Sequence, residues 1–108
     1  MILLRAVIRP EKVNDVLVAL LEAGHSAVTK MDVYGRGKQK GIKVGEVFYD
    51  ELPKVMLLMV IEDSDKDEIV KIIFDNAKTG EQGNFGDGRI FISPVDKAYT
   101  ISKMSEEL

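Results

Sequence analysis

The residues best suited to chemistry in this chain cluster in Gly35-Arg36-Gly37-Lys38-Gln39-Lys40-Gly41, where three glycines are interleaved with three cations and one amide. The nearest acid downstream is Glu46. Glycine admits φ > 0 and lets the backbone come close to a bound group. Successive N–H groups in such a turn form an anion-binding nest, and Lys and Arg aim further charge at phosphate or carboxylate. The chemistry implied is anion binding, although a flexible basic hairpin loop with no ligand would carry the same residues. Reaction chemistry is poorly supplied. There is no cysteine, hence no thiolate nucleophile or zinc–thiolate site, and His25 is the one histidine, which excludes a multi-histidine metal cluster and leaves neither glycine-rich segment a nearby imidazole base. No catalytic residue is assigned, and the chain is not expected to be an enzyme.

Composition narrows the class further. A chain of 108 residues fits a single domain, 1–108, with one core. Hydrophobic residues make up 45% and charged residues 31%, a balance that folds. The net charge of −3 argues against nucleic-acid binding. The longest apolar run, Val55 to Ile61, is far short of a membrane span. Met1 leads straight into Ile2-Leu3-Leu4 without a basic leader region or cleavage site. The expectation is a cytoplasmic protein without stable membrane insertion.

The elements that must position the glycine-rich loop read in order. Residues 2–8 alternate as a strand, with Ile2, Leu4, Ala6 and Ile8 on one face and Leu3, Arg5 and Val7 on the other. Arg9-Pro10 stops it and opens a helix over about 11–23, whose apolar stripe is Val13, Val16, Leu17, Leu20 and Leu21. Gly24 is the expected cap, and His25 is expected to be a solvated turn residue. Val28 to Tyr34 is a second strand delivering the chain into the loop. The stretch to Pro53 has no sustained period and reads as a long excursion with a docking point at Val47-Phe48-Tyr49. Val55 to Glu62 is a third strand, apolar on both faces. Ser64 and Asp67 form an expected capping box for a helix lined by Ile69, Ile72, Ile73 and Ala77. A second loop, Glu81 to Gly88, precedes a fourth strand, Arg89 to Ile92, closed by Ser93-Pro94; Tyr99 to Ser102 reads as a short fifth strand and about 103–108 as a frayed tail. Two strand–helix–strand halves make an α+β, ferredoxin-like βαββαβ sandwich. Helices on one face leave the other face apolar, which oligomerisation would bury.

The G-x-G-x-Q-K-G segment, Leu52-Pro53-Lys54-Val55, and Thr79-Gly80 followed by Gly86-Asp87-Gly88-Arg89-Ile90-Phe91 together resemble the PII signal-transduction family over nearly the whole chain. The resemblance implies a homotrimer whose sheets line a central barrel, with ATP or ADP in the clefts between subunits. It also implies that Mg²⁺ and 2-oxoglutarate bind at the base of a long T-loop between the second and third strands, here about 36–53. Carried over residue by residue, Val7, Thr29, Gly35, Gly37, Lys38, Gln39, Val60, Gly86, Asp87, Gly88 and Arg89 look like the ATP-binding set. Gly37, Gln39, Lys40, Gly41 and Lys54 look like the 2-oxoglutarate set. Gln39 matches the amide that ligates Mg²⁺, as a hard cation wants oxygen. Lys54 matches the lysine that pairs with a carboxylate of 2-oxoglutarate, a role its ammonium suits. Lys43, Val47, Phe48 and Tyr49 fall on the target-binding part of the T-loop.

The chain departs from the common bacterial pattern in three places. The T-loop is shorter and lacks the modified tyrosine in its usual sequence setting, with Tyr49 near that position. The second loop gains the Gln82-Gly83-Asn84 region. Thr100 and Ser102 stand where many members place phosphate-gripping arginines, for which Lys97 and Lys103 are possible substitutes. The short T-loop and the ending Ser93-Pro94-Val95 look most like the NifI branch of nitrogen-fixation clusters. That likeness implies assembly with a paralogue, inhibition of a nitrogenase component and relief by 2-oxoglutarate. Competing expectations are regulation of an ammonium channel or glutamine synthetase and, more remotely, a ferredoxin-like phosphatase or nucleotidase. An RNA-binding module is disfavoured because the first and fourth strands lack an aromatic platform.

Overall fold

The computed structural model describes residues 1–36 and 51–108, together with backbone strands at 42–44 and 47–49. Strand β1 (Ile2–Ile8) is followed by a 3-10 turn at Pro10–Lys12 and helix α1 (Val13–Glu22). Next come β2 (Thr29–Gly35), the short β3 (Ile42–Val44) and β4 (Val47–Tyr49), and the long β5 (Leu52–Ile61). A 3-10 turn at Asp63–Asp65 leads into α2 (Lys66–Ala77), and β6 (Gly88–Pro94), β7 (Tyr99–Thr100) and β8 (Ser105–Glu106) complete the chain. The main sheet runs β2-β5-β1-β6 with every neighbouring pair antiparallel, the ferredoxin-like order.

Alternation decides what each strand buries. Leu4, Ala6 and Ile8 of β1 and Val55, Leu57, Met59 and Ile61 of β5 lie under the helices. They meet Val13, Val16 and Leu20 of α1 and Ile69, Ile73 and Ala77 of α2 in one cluster. Each fully buried aliphatic side chain contributes about 1.5–3 kcal/mol, so this layer is the principal source of stability. Leu21, placed by periodicity on the inner stripe, is 62% exposed, the buried residues of α1 being Val13, Val16 and Leu20. Gly24, at φ +90°, closes α1 with the N–H groups of Gly24 and His25 donating to Leu21 O and Leu20 O.

Several sequence expectations need correction. The Ser64/Asp67 capping box does not form: the 3-10 turn moves the cap to Asp65, and no side chain caps either segment. β5 starts at Leu52, so Pro53 and Lys54 belong to a strand. The excursion between β2 and β5 contains a β3–β4 ladder, Ile42 opposite Tyr49 and Val44 opposite Val47. β6 runs through Ser93-Pro94, which its edge position tolerates. The C-terminal segment is not frayed: β8 pairs with β7 after a reversal at Met104, which takes φ 51°. His25 is not solvated, its side chain being only 15% exposed.

Candidate functional site

One end of the sheet gathers the loop bases. Ile8 is the register partner of both Val55 and Gly88, and Gly35 is the partner of Leu52. Continuing that register by one residue sets Arg9 between Lys54 and Asp87. The Arg9 Nε donates to Asp87 Oδ1 at 3.0 Å and its Nη2 to Phe85 O at 2.9 Å. The Lys54 ammonium donates to Gly86 O. These contacts tie β1 and β5 to the loop that enters β6.

Asp87 organises that loop. Its Oδ2 accepts the N–H groups of Thr79 and Asn84, both at 2.9 Å, and its Oδ1 accepts the Thr79 hydroxyl at 2.7 Å as well as Arg9. Asn84 in turn donates to Thr79 O and Thr79 Oγ1. Burial alone pushes the Asp87 carboxyl up, but the donors from Thr79, Asn84 and Arg9 outweigh it and hold the group well below the usual carboxylate range. The glycines beside it have separate reasons. Gly86 takes φ +93° to turn the loop. At Gly88, φ is +115° and a Cβ would lie 1.8 Å from Val7 O, so only glycine lets β6 start against β1.

Lys54 is 9% exposed within the sheet. Burial pulls its ammonium below the usual lysine range, and the neighbouring Arg9 pulls the same way, while Glu11 and Asp87 oppose both. The two acids that act on Lys54, Glu11 and Asp87, are both far from it in the sequence and are brought into its field by the fold. Val7 and Arg89 are register partners on the face of the sheet away from the helices, an apolar side chain beside an exposed guanidinium. That pairing, with the turn at Gly86, fits a ligand having a flat apolar part and an anionic part.

Not every expected residue joins this group within one subunit. Thr29 pairs with Leu58 and Val60 with Leu3, toward the opposite end of the sheet. At about 3.3 Å per residue, Thr29 stands roughly 20 Å along β2 from Gly35. Val7 and Val60 share a face but lie about 13 Å apart along the strands. Gly37, Lys38, Gln39, Lys40 and Gly41 fall outside the described residues, as do the side chains of Lys43, Val47, Phe48 and Tyr49. Lys97, a candidate substitute for a missing arginine, faces Glu106 at 3.9 Å across the C-terminal hairpin, and Thr100 bonds Glu107 O at 3.1 Å.

Sequence reasoning missed Arg9, read only as a strand stop, and the full role of Thr79 and Asn84. The available signal was the acid in Gly86-Asp87-Gly88, whose carboxylate had to find donors somewhere.

Comparison with known proteins converges on one family. A model of the nitrogen regulatory protein P-II family matches residues 1–105. A nitrogen fixation nifHD region GlnB-like protein 1 of Methanobacterium ivanovii is 57% identical over 106 residues, 98% of each chain. Its namesake in Methanococcus maripaludis is 53% identical over 103 residues, 95% of each. Nitrogen regulatory protein P-II 2 of Methanothermobacter thermautotrophicus is 42% identical over 100 residues, covering 89% of this chain and 84% of its own. The sheet order, the loop junction and this agreement along nearly the full length lead to one conclusion: the chain belongs to the P-II family of nitrogen regulatory proteins, and it resembles that family's nifHD-region, NifI-type branch.

Proposed function

We propose that this protein is a non-enzymatic sensor. It binds ATP or ADP, and with Mg-ATP 2-oxoglutarate, and it controls a nitrogenase component through its T-loop, inhibition being relieved by 2-oxoglutarate. The observation that carries this reading is the junction at the sheet end. Lys54, Arg9 and Asp87 fasten the base of the T-loop to the glycine loop before β6, so a ligand at one loop is mechanically joined to the other. The nucleotide set divides into two groups within one chain, Gly35 with Gly86 to Arg89 and Thr29 with Val60. A cleft between two copies, in a homotrimer or in a hetero-oligomer with a paralogue, would reunite them.

In that cleft Val7 offers an apolar wall, Arg89 and the Gly86 turn face phosphate, and Asp87 holds the turn without touching the ligand. Bound Mg²⁺ would supply Lewis-acidic charge neutralisation for the anionic ligands. Gln39 is the residue that would hold it, and Lys54 would meet the distal carboxylate by exchanging its bond to Gly86 O. The nifHD-region names of the relatives support nitrogenase as the target.

The test is calorimetry with pull-down. Binding of 2-oxoglutarate should require Mg-ATP and tighten ATP by the same factor, a coupling of about 1–3 kcal/mol. Gln39→Ala should remove most 2-oxoglutarate binding and keep much of the ATP affinity. A nitrogenase component should be retained by the protein with Mg-ATP and released on adding 2-oxoglutarate. Equal 2-oxoglutarate binding without ATP would refute the sensor mechanism; retention of an ammonium channel or glutamine synthetase instead would replace the target.

A further inference from the structure

A second cluster lies on the helix side, at the end of the sheet away from the loop junction. Ile61 leaves β5 there opposite Ile2, and the chain turns through Asp63–Asp65 into α2. His25 arrives from the other direction, fixed by the cap of α1 through its N–H bond to Leu20 O at 2.8 Å. The Nε2 of His25 is buried and makes no hydrogen bond. It lies 3.5 Å from Glu68 Oε2, and Glu68 is 57% exposed. Asp65, at the cap position of α2, makes no capping bond with its side chain. One ligand atom from each of His25, Asp65 and Glu68 lies within 4.8 Å of the others. Asp63, the other acid in the turn, is already occupied by the Met1 ammonium at 2.7 Å.

We propose that His25, Asp65 and Glu68 form a binding site for a borderline divalent cation, zinc or a first-row neighbour such as cobalt. A buried imidazole nitrogen that makes no hydrogen bond is costly, and a metal ion would satisfy it together with both carboxylates. Imidazole and carboxylate together suit zinc better than magnesium or calcium. In a tetrahedral shell with bonds of about 2.0–2.2 Å, ligand atoms lie about 3.3–3.6 Å apart. The His25–Glu68 spacing already matches, and rotation of the Asp65 side chain closes the third side. Water completes the shell. A single histidine excludes a multi-histidine cluster, not a site completed by carboxylates from a neighbouring helix. The site is separate from the loop junction, and nothing in it depends on nucleotide or 2-oxoglutarate binding.

The test uses the untagged full chain, stripped with chelator and titrated with zinc chloride in the absence of nucleotide. Calorimetry should give one zinc per chain. Because the protein has one imidazole, its nitrogen resonances are unambiguous, and the Nε2 signal should shift on saturation while cobalt produces visible absorption bands. His25→Ala and Glu68→Gln should each weaken zinc binding by at least about tenfold, since losing a direct ligand exceeds the 10–100-fold typical of outer-shell losses at the low end. The Glu68→Gln protein should keep its helical circular dichroism in chelator, which separates ligand loss from misfolding. Absence of zinc binding, an imidazole unmoved at saturation in the native chain, or unchanged affinity in Glu68→Gln each overturns the assignment.

Discussion

At the residue scale, Asp87 and Gly88 make opposite demands on the same turn. Asp87 is defined by what it accepts: both oxygens are engaged by Thr79, Asn84 and Arg9. Its carboxyl is held below its unfolded value near 3.9, so its contribution is complete above that pH and is lost as pH falls toward the folded value. Asp87→Asn should therefore lower stability at neutral pH by about 1–2 kcal/mol and flatten the acid limb below about pH 4. Urea titrations across pH 2–7 measure both effects, and an unchanged acid limb would remove Asp87 from the account. Under the proposed function, nucleotide affinity should fall as the turn loosens. Gly88 is defined by what it lacks. Gly88→Ala places a Cβ 1.8 Å from Val7 O, and separating β6 from β1 should cost about 3 kcal/mol or more, read as a lower midpoint in the same titrations.

At the element scale, the loop before β6 is held by its own Asp87 and by two side chains from outside it, Arg9 just after β1 and Lys54 of β5. Arg9→Ala should release Asp87 on one side and Phe85 O on the other, costing about 1–2 kcal/mol. Amide exchange at Thr79 and Asn84 should quicken while the centres of α1 and α2 stay protected; equal protection throughout would show that the loop stands without Arg9. The same elements mark what the sequence disclosed. β1, α1 and α2 were legible because seven or more residues repeat a period, long enough for one face to declare itself, and β5 was legible as the unbroken apolar run Val55 to Ile61. The pairs β3–β4 and β7–β8 were not, since strands of two or three residues carry no period. The start of α2 was misplaced because a 3-10 turn consumed the residues that otherwise cap it. The glycine segments of the site were visible as composition. Arg9 was not, being 78 positions from its partner Asp87, and His25 looked solvated because only the packing of α1 against α2 encloses it.

At the scale of the whole molecule, the two helices cover one face of the sheet and leave the other uncovered among the described residues. The helices cover Leu4, Leu57 and their neighbours, while Leu3, Val7, Met56, Leu58 and Val60 face away from them at intermediate burial. Met31 and Phe91 on that face are 45% and 50% exposed. Arg5 stands among them, opposite Leu58 and Phe91, where a partner must either leave it wetted or meet its charge. A contiguous apolar sheet face in water is an association surface, and a closed ring of three copies would cover it while bringing the Thr29–Val60 group of one chain toward the Gly86–Arg89 group of the next. Light scattering should then give a mass that is a multiple of three subunits. Leu58→Asp puts a carboxylate at the centre of the face and should yield single subunits whose helices remain folded, because Leu58 is not part of the layer under α1 and α2. Those subunits should also lose ATP binding, although no residue assigned to the nucleotide has been changed. A native protein of one subunit mass removes the ring. A Leu58→Asp monomer that binds ATP as tightly as the native assembly removes the shared cleft, and leaves each chain to bind nucleotide with the Gly35 and Gly86–Arg89 group alone.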